Sequence, residues 1–318
     1  MLYSEINHTK LKASKLVLGT DTFGTQISEQ DAFMILDRYV NAGGNIVDTA
    51  SIYADWLDQG KSISEKTIGK WLVSQGCRNE VIISTKGGHH VFKTLSSRVD
   101  LNNIREDFEN SLQNLKTDWI DIYWLHKDDP NQSPEAMIEI LNEAVSKDGA
   151  RYLGVSNWSY DRIKQANTYA REKSLRPIIA SQIQHSIAKL NKVAYGITAM
   201  DEEQYAKYSA DDLSVFAFSS QAKGFFANME KGGEAALRQN TKEVFWNDVN
   251  VARFCRLKNM AQEKNTTISA LVIAALFCDN NVNIFAQIGP RTLAQLDASL
   301  ESADLSLTQE ERAYLLDV

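Results

Sequence analysis

The stretch "NIVDTASIY" (45–53) places an acid, Asp48, at the end of a short apolar run, with Tyr53 five residues on. A carboxylate at the end of a buried strand is costly unless something pairs with it. Two later runs end on complementary groups: "VIISTK" (81–86) on Lys86 and "WIDIYWLH" (119–126) on His126. An acid, a phenol, an amine and an imidazole are a set that can move a proton onto a carbonyl oxygen. A free tyrosine titrates near 10, and lowering it by roughly three units takes about 4 kcal/mol. A lysine ammonium at about 4 Å, in an effective dielectric near 20, supplies about 4 kcal/mol. The spacing therefore predicts that Lys86 lowers the pKa of Tyr53, that Asp48 keeps Lys86 charged and aimed, and that His126 donates to the carbonyl. A proton at the oxygen calls for a hydride at the carbon, which no side chain supplies and a nicotinamide does.

Other chemistries fit less well. One carboxylate rather than two leaves glycoside hydrolysis without its pair. No Ser or Cys stands beside a His–carboxylate pair at a spacing that suggests acyl transfer. A metal-dependent hydrolase would draw on His89, His90, His126, His185 and Asp48, but adjacent histidines on an extended segment point to opposite sides. The three cysteines, Cys77, Cys255 and Cys278, form no C-x-x-C pair, which fits a reducing compartment rather than a zinc ribbon or disulfide framework.

These residues need elements to carry them. Eight β-branched or aromatic runs recur: 15–19, 45–50, 81–86, 119–126, 151–157, 178–184, 213–219 and 282–289. Helical spacing fills the gaps. "SEQDAFMILDRYVNAGG" (28–44) has a capping start and a Gly-Gly stop, and 100–115 lines up Leu101, Ile104, Phe108, Leu112 and Leu115 on one face. "SPEAMIEILNEAVSKDG" (133–149) has Pro134 at its start and Gly149 just past its expected end, and 159–174 reads as a further helix. Eight strands alternating with helices predict a parallel α/β sheet closed as a (β/α)₈ TIM barrel. "GTDTFG" (19–24) lacks the glycine spacing of an open dinucleotide-binding sheet. Residues 2–13 read as an N-terminal β-hairpin covering one end, and residues 1–318 as a single domain. An insertion or loop region is expected at 220–250 after the seventh strand. Helices are expected at about 250–265, at "TTISALVIAALFCDN" (266–280) and at 308–318.

In such a barrel the strand ends converge on one mouth. That adds Ser156, Asn157 and Gln182 as groups for a carboxamide and Phe218 as a stacking face. The loops after the seventh and eighth strands, with Ser219, Gln221, Gly289 and Arg291, are placed for phosphate.

Composition sets the outer limits. The chain has 318 residues, 43% hydrophobic and 24% charged, with a net charge of −7. That balance is globular and argues against a nucleic-acid partner. No secretory leader is read at the N-terminus, and the most apolar segment, 268–278, is too short to span a bilayer. A cytoplasmic protein with no membrane partner is expected; oligomeric state is not legible.

The pieces "LGTDTFG" (18–24), "NIVDTASIY" (45–53), "SEKTIGKWL" (64–72), "VIISTKGG" (81–88), "DWIDIYWLH" (118–126), "YLGVSNW" (152–158), "SQIQHS" (181–186), "VFAFSSQAKG" (215–224) and "GPRTLAQLDASL" (289–300) resemble the aldo-keto reductases, in that family's order. The resemblance implies an NADP(H)-dependent oxidoreductase, with NAD(H) as the variant cofactor, acting on an aldehyde, ketone or sugar. It implies a catalytic set of Asp48, Tyr53, Lys86 and His126, with Tyr53 as general acid. It implies cofactor contacts at Gly19, Thr20, Ser156, Asn157, Gln182, Ser219, Arg291, Gln295 and Ser299. Departures from the family's pattern are Phe218 for Tyr or Trp, Ser219-Ser220-Gln221 for Ser-Pro-Leu, and Ser299 for Asn. The substrate pocket is expected from Asp21, Trp56, His89 and Trp158, with Asp21 hinting at a polar substrate. A second reading keeps the barrel and the nucleotide but makes the protein a sensor or regulatory subunit with little turnover.

Overall fold

The computed structural model describes residues 1–57, 60–279 and 281–317. Two short strands, β1 (Tyr3–Glu5) and β2 (Lys12–Ser14), pair antiparallel as a hairpin. Eight parallel strands follow: β3 (Leu16–Gly19), β4 (Ile46–Asp48), β5 (Ile82–Gly87), β6 (Ile120–Leu125), β7 (Ala150–Ser156), β8 (Ile178–Gln184), β9 (Ser214–Phe218) and β10 (Ile284–Ile288). They close into a barrel in the order β10-β3-β4-β5-β6-β7-β8-β9. Each falls on one of the eight apolar runs, with only Gly87 of β5 and Ala150 of β7 reaching one residue outside.

The barrel interior is filled by Val17, Ile46, Ile82, Ile122, Trp124, Ile179, Phe216 and Phe285. Trp124 meets Phe216 edge-on at 5.0 Å, and Phe216 stacks on Phe285 at 4.8 Å. A ring this large fits because Gly154 faces it: a Cβ on Gly154 would stand 2.2 Å from the Trp124 indole. Ile6 and Ala13 of the hairpin join the same interior cluster, with Leu11 against it. The apolar residues of the hairpin thus plug the end of the barrel where the strands begin.

Helix starts follow the cap chemistry. Ser28, Asp100 and Ser133 accept from the N–H groups of Asp31, Asn103 and Ala136, opening helices Glu29–Asn41, Leu101–Leu115 and Pro134–Ala144. The third of these stops at Ala144, short of the expected Gly149. Val145 turns extended, and Gly149 serves a different purpose: a Cβ there would lie 2.6 Å from the Phe108 ring. Its glycine keeps a close approach rather than ending a helix.

Residues 220–250 are helical rather than loop. Helices Phe225–Gly232 and Gln239–Phe245 bury Phe225, Phe226 and Phe245 against the core. Helices Asp248–Lys264 and Ile268–Phe277 cover the expected pair. The last helix, Gln309–Leu316, opens on a capping box between Thr308 and Glu311. The far ends of the expected 266–280 and 308–318 segments, Asn280 and Val318, lie outside the described residues. Among the described residues no helix is long and apolar enough to cross a membrane.

Candidate active site

Asp48 is the last residue of β4 and is fully buried. Four side chains donate to its carboxylate. Lys86 Nζ lies 2.5 Å from Oδ2 and Gln287 Nε2 2.6 Å from the same oxygen; Ser84 Oγ lies 2.6 Å and Gln182 Nε2 3.1 Å from Oδ1. Saturating all its lone pairs is what lets a carboxylate sit at the centre of a barrel. Lys86 is equally buried, and its remaining donors go to the Thr49 carbonyl at 2.7 Å and the Tyr53 hydroxyl at 2.9 Å. Asp48, Lys86 and Tyr53 are therefore one connected chain, contributed by β4, β5 and the loop after β4.

His126 follows β6, anchored by its backbone N–H to the Gly87 carbonyl at 2.8 Å. Its ring lies 6.0 Å from that of Tyr53, centre to centre. Burial and the neighbouring cationic and imidazole groups push its pKa well below the usual histidine value, so it is a neutral ring. Its Nδ1 is buried without a hydrogen-bond partner in the protein.

The electrostatics correct one expectation. The Tyr53 phenol is not pulled down; its pKa is raised well above the ordinary value, by burial first and then by the charges of Asp48 and Asp21, while the Gln287 side chain works the other way. Burial likewise lowers the Lys86 ammonium, against the pull of Asp48. The Lys86–Tyr53 contact is of the expected size, but Asp48 stabilises the ammonium and repels a phenolate at once. The resting site holds Tyr53 as a protonated phenol.

Around Tyr53 the aromatic rings form a closed circuit. Tyr53 meets Trp56 at 6.5 Å, Trp56 meets Phe92 at 6.4 Å, Phe92 meets His89 at 5.1 Å and His89 meets His126 at 4.7 Å. Trp56 and Phe92 are half-exposed at the rim. Burial lowers the pKa of His89 to about 4, so its ring is neutral too. Trp158 does not belong here. It is 1% exposed and packs in the core beneath the Arg162 guanidinium, 5.2 Å from its ring centre. The Arg162–Asp128 ion pair at 2.8 Å holds that cation in place. Asp21 is exposed at the mouth, within the fields of Arg291 and Lys86.

Of the residues expected to meet a cofactor, several gather at the strand ends. Gly19 is opposite Asp48 in register, and a Cβ there would stand 3.0 Å from Gln287 Nε2 and from the Ile288 carbonyl. Asn157 and Ser219 follow β7 and β9 with φ of 62° and 54°, left-handed positions that non-glycine residues rarely take. Such strain collects where the chain is shaped for a ligand. Phe218 is half-buried at the end of β9. Gln221 and Ser299 hydrogen-bond each other at 3.3 Å, tying the loop after β9 to helix Leu293–Leu300. Arg291 is exposed just ahead of that helix, its backbone N–H held by Gln295 Oε1 at 2.8 Å, and Gly289 opens on free space. Thr20 departs from the expectation: its buried hydroxyl is spent on the Asp48 carbonyl at 2.9 Å and on Ser64, leaving only its backbone for a ligand.

The sequence reading missed Ser84 and Gln287, both on Asp48. Gln287 had a signal: it is the one polar side chain in the apolar run "IFAQI" of β10. Among the described residues no three His, Cys, Asp or Glu side chains converge as metal ligands. His89, His90 and His126 cluster as rings, without a carboxylate to complete a metal set.

The fold and this site define an oxidoreductase on a (β/α)₈ barrel. The profile of the Aldo/keto reductase family matches residues 15–318, and the chain belongs to that family. Among its relatives is the norsolorinic acid reductase stcV of Emericella nidulans, 26% identical over 95% of this chain and 77% of the relative. An aryl-alcohol dehydrogenase of Pestalotiopsis microspora is 26% identical over 97% of this chain and 80% of its own length. An uncharacterized oxidoreductase, YrpG of Bacillus subtilis, is 28% identical over 100% of this chain and 96% of its own.

Proposed function

We propose that this protein reduces an aldehyde or ketone with NADPH, and runs the reverse oxidation, with Tyr53 as the proton donor. The observation that carries the reading is the Lys86 ammonium bridging Asp48 Oδ2 at 2.5 Å and Tyr53 Oη at 2.9 Å. The residues present suit a nicotinamide dinucleotide. Gln182 keeps its amide oxygen for a carboxamide N–H, because its Nε2 is taken by Asp48. Ser156 and Asn157 stand beside it, and Phe218 offers a flat face. Arg291 and the N-terminus of helix Leu293–Leu300, capped by Thr292, suit phosphate. Arg291 favours the phosphorylated NADP(H) over NAD(H). When bound, the nicotinamide supplies the hydride.

The protein's own part is proton and charge. Neutral His126 donates a hydrogen bond to the substrate oxygen and polarises the carbonyl. As the carbon gains hydride, the oxygen becomes an alkoxide, a far stronger base than a phenolate. Tyr53 then gives up its proton despite its raised pKa, and the Lys86 ammonium stabilises the phenolate left behind. The products are an alcohol and the oxidised cofactor.

The half-exposed faces of Trp56 and Phe92 suit a flat ring, either an aromatic aldehyde or the apolar face of a sugar. Relatives named for aryl alcohols and for norsolorinic acid are in keeping with the first. The cysteines Cys77, Cys255 and Cys278 are all free, which suits a reducing, cytoplasmic setting. The test is Tyr53→Phe. It should abolish NADPH-dependent reduction across a panel of aromatic, aliphatic and sugar aldehydes while NADPH fluorescence titration gives an unchanged Kd. Full activity in that variant would sink the mechanism.

A further inference from the structure

Gln287 holds a position in the site that mirrors that of Lys86. Asp48 sits on β4, with β5 on one side and β3, then β10, on the other. Lys86 approaches from β5 and Gln287 from β10. Each donates to the same carboxylate oxygen, Asp48 Oδ2, at 2.5 Å and 2.6 Å. Lys86 Nζ also lies 2.9 Å from the Tyr53 hydroxyl, and the Gln287 side chain acts on the same phenol in the direction that favours its ionised form.

The orientation of the amide follows from chemistry. Turning it over would set its oxygen against a carboxylate oxygen, so the nitrogen must face Asp48. That nitrogen gives an N–H to the carboxylate at 2.6 Å. The amide oxygen is left buried with no partner, a cost of about 1–3 kcal/mol that a merely space-filling residue would not incur. The placement is also built for. Gly19 leaves room for the amide, since a Cβ there would come within 3.0 Å of Nε2, and Ser220 Oγ holds the Gln287 carbonyl at 2.6 Å.

We propose that Gln287 is a positioning residue for the reaction, a neutral counterpart of Lys86 that fixes the Asp48 carboxylate beside the Lys86–Tyr53 pair and, by drawing on the charge of Oδ2, weakens its repulsion of the Tyr53 oxygen as phenolate. The inference rests on the reading of Tyr53 as the proton donor. Its effect differs by direction. Alcohol oxidation starts from the phenolate and gains from a lower phenol pKa; carbonyl reduction starts from the phenol and gains less.

The test is Gln287→Met, which keeps the length and removes both N–H groups. Reduction of 4-nitrobenzaldehyde and oxidation of 4-nitrobenzyl alcohol are followed against pH at saturating NADPH or NADP⁺. In Gln287→Met the limb of kcat that reports Tyr53 should move up by about one pH unit in both directions. Oxidation at a fixed pH on that limb then falls about tenfold, and the Kd for NADPH stays unchanged. Gln287→Leu, which likewise removes both N–H groups, should move the limb by a similar amount, and it stands in if the Met variant does not fold. A folded variant with lower kcat and the limb at the parent's pH overturns the inference and leaves Gln287 a packing residue. A parent whose activity survives Tyr53→Phe overturns the underlying reading instead, and the inference with it.

Discussion

Lys86→Met tests whether the Asp48–Lys86 pair is a coupled device or two neighbours. Both side chains are fully buried, with Nζ 2.5 Å from Oδ2. The substitution keeps most of the volume and deletes the cation. Asp48 retains Ser84, Gln182 and Gln287 as neutral donors, but a buried carboxylate loses its counter-charge. Breaking such a pair from one side costs about 3–5 kcal/mol. Unfolding entropy is about 2.1 cal/mol/K per residue, so a chain of 318 residues has roughly 0.7 kcal/mol/K, and Tm should fall by about 4–7 °C. Asp48→Asn should cost less, because burial already favours the neutral amine of Lys86, which can shed its proton. The double variant, Asp48→Asn with Lys86→Met, carries no buried charge. It should recover about 2–3 kcal/mol relative to the sum of the two single losses. The assay is urea denaturation of the four proteins, followed by fluorescence and circular dichroism. Strict additivity, or a Lys86→Met chain as stable as the parent, refutes the idea that the pair is held together by charge.

Two further outcomes follow from the geometry. Gly154→Ala would drive a Cβ to 2.2 Å from the Trp124 indole inside the barrel; a stability loss of about 1–3 kcal/mol in chemical denaturation is expected, and an unchanged midpoint contradicts it. Burial lowers the pKa of His185 to about 4 in the fold, against about 6.5 unfolded, and its Nε2 is buried with no partner. Below pH 6.5 the unfolded chain takes a proton that the folded chain refuses, so stability falls on acidification, by about 2 kcal/mol at pH 5. His185→Gln should flatten the change in denaturation midpoint between pH 7 and pH 5; an identical slope in parent and variant rules this out.

Much of the site was legible because a barrel turns one-dimensional position into three-dimensional convergence. Asp48, Lys86 and His126 are each the polar residue that ends an apolar run, and the strand register brings those ends to one mouth. What escaped was set by side-chain direction. Trp158 lies only two residues beyond Ser156 yet turns into the core beneath Arg162, and nothing in "SNWSYDR" fixes that turn. Gln287 stands within its strand rather than at the polar end of an apolar run. The sign of the Tyr53 shift is not legible from the Lys86 contact, because burial and the charges of Asp48 and Asp21 together outweigh it. Gly149 reads as a helix stop because a glycine kept for close packing and a glycine kept for a left-handed turn look alike in a sequence.

The plug formed by the hairpin also fixes how the molecule can be held. Tyr3 Oη bonds the Gly43 carbonyl beyond helix Glu29–Asn41, so the Met1 end lies at the closed base of the barrel. The other end runs upward: Arg253 grips the Leu316 carbonyl at 2.9 Å and that of Ile187, just past the top of β8. A tether or affinity tag joined at Met1 therefore anchors the protein by its sealed floor and leaves the mouth facing the solution. The same tag joined at the other end starts beside the loops that frame the opening.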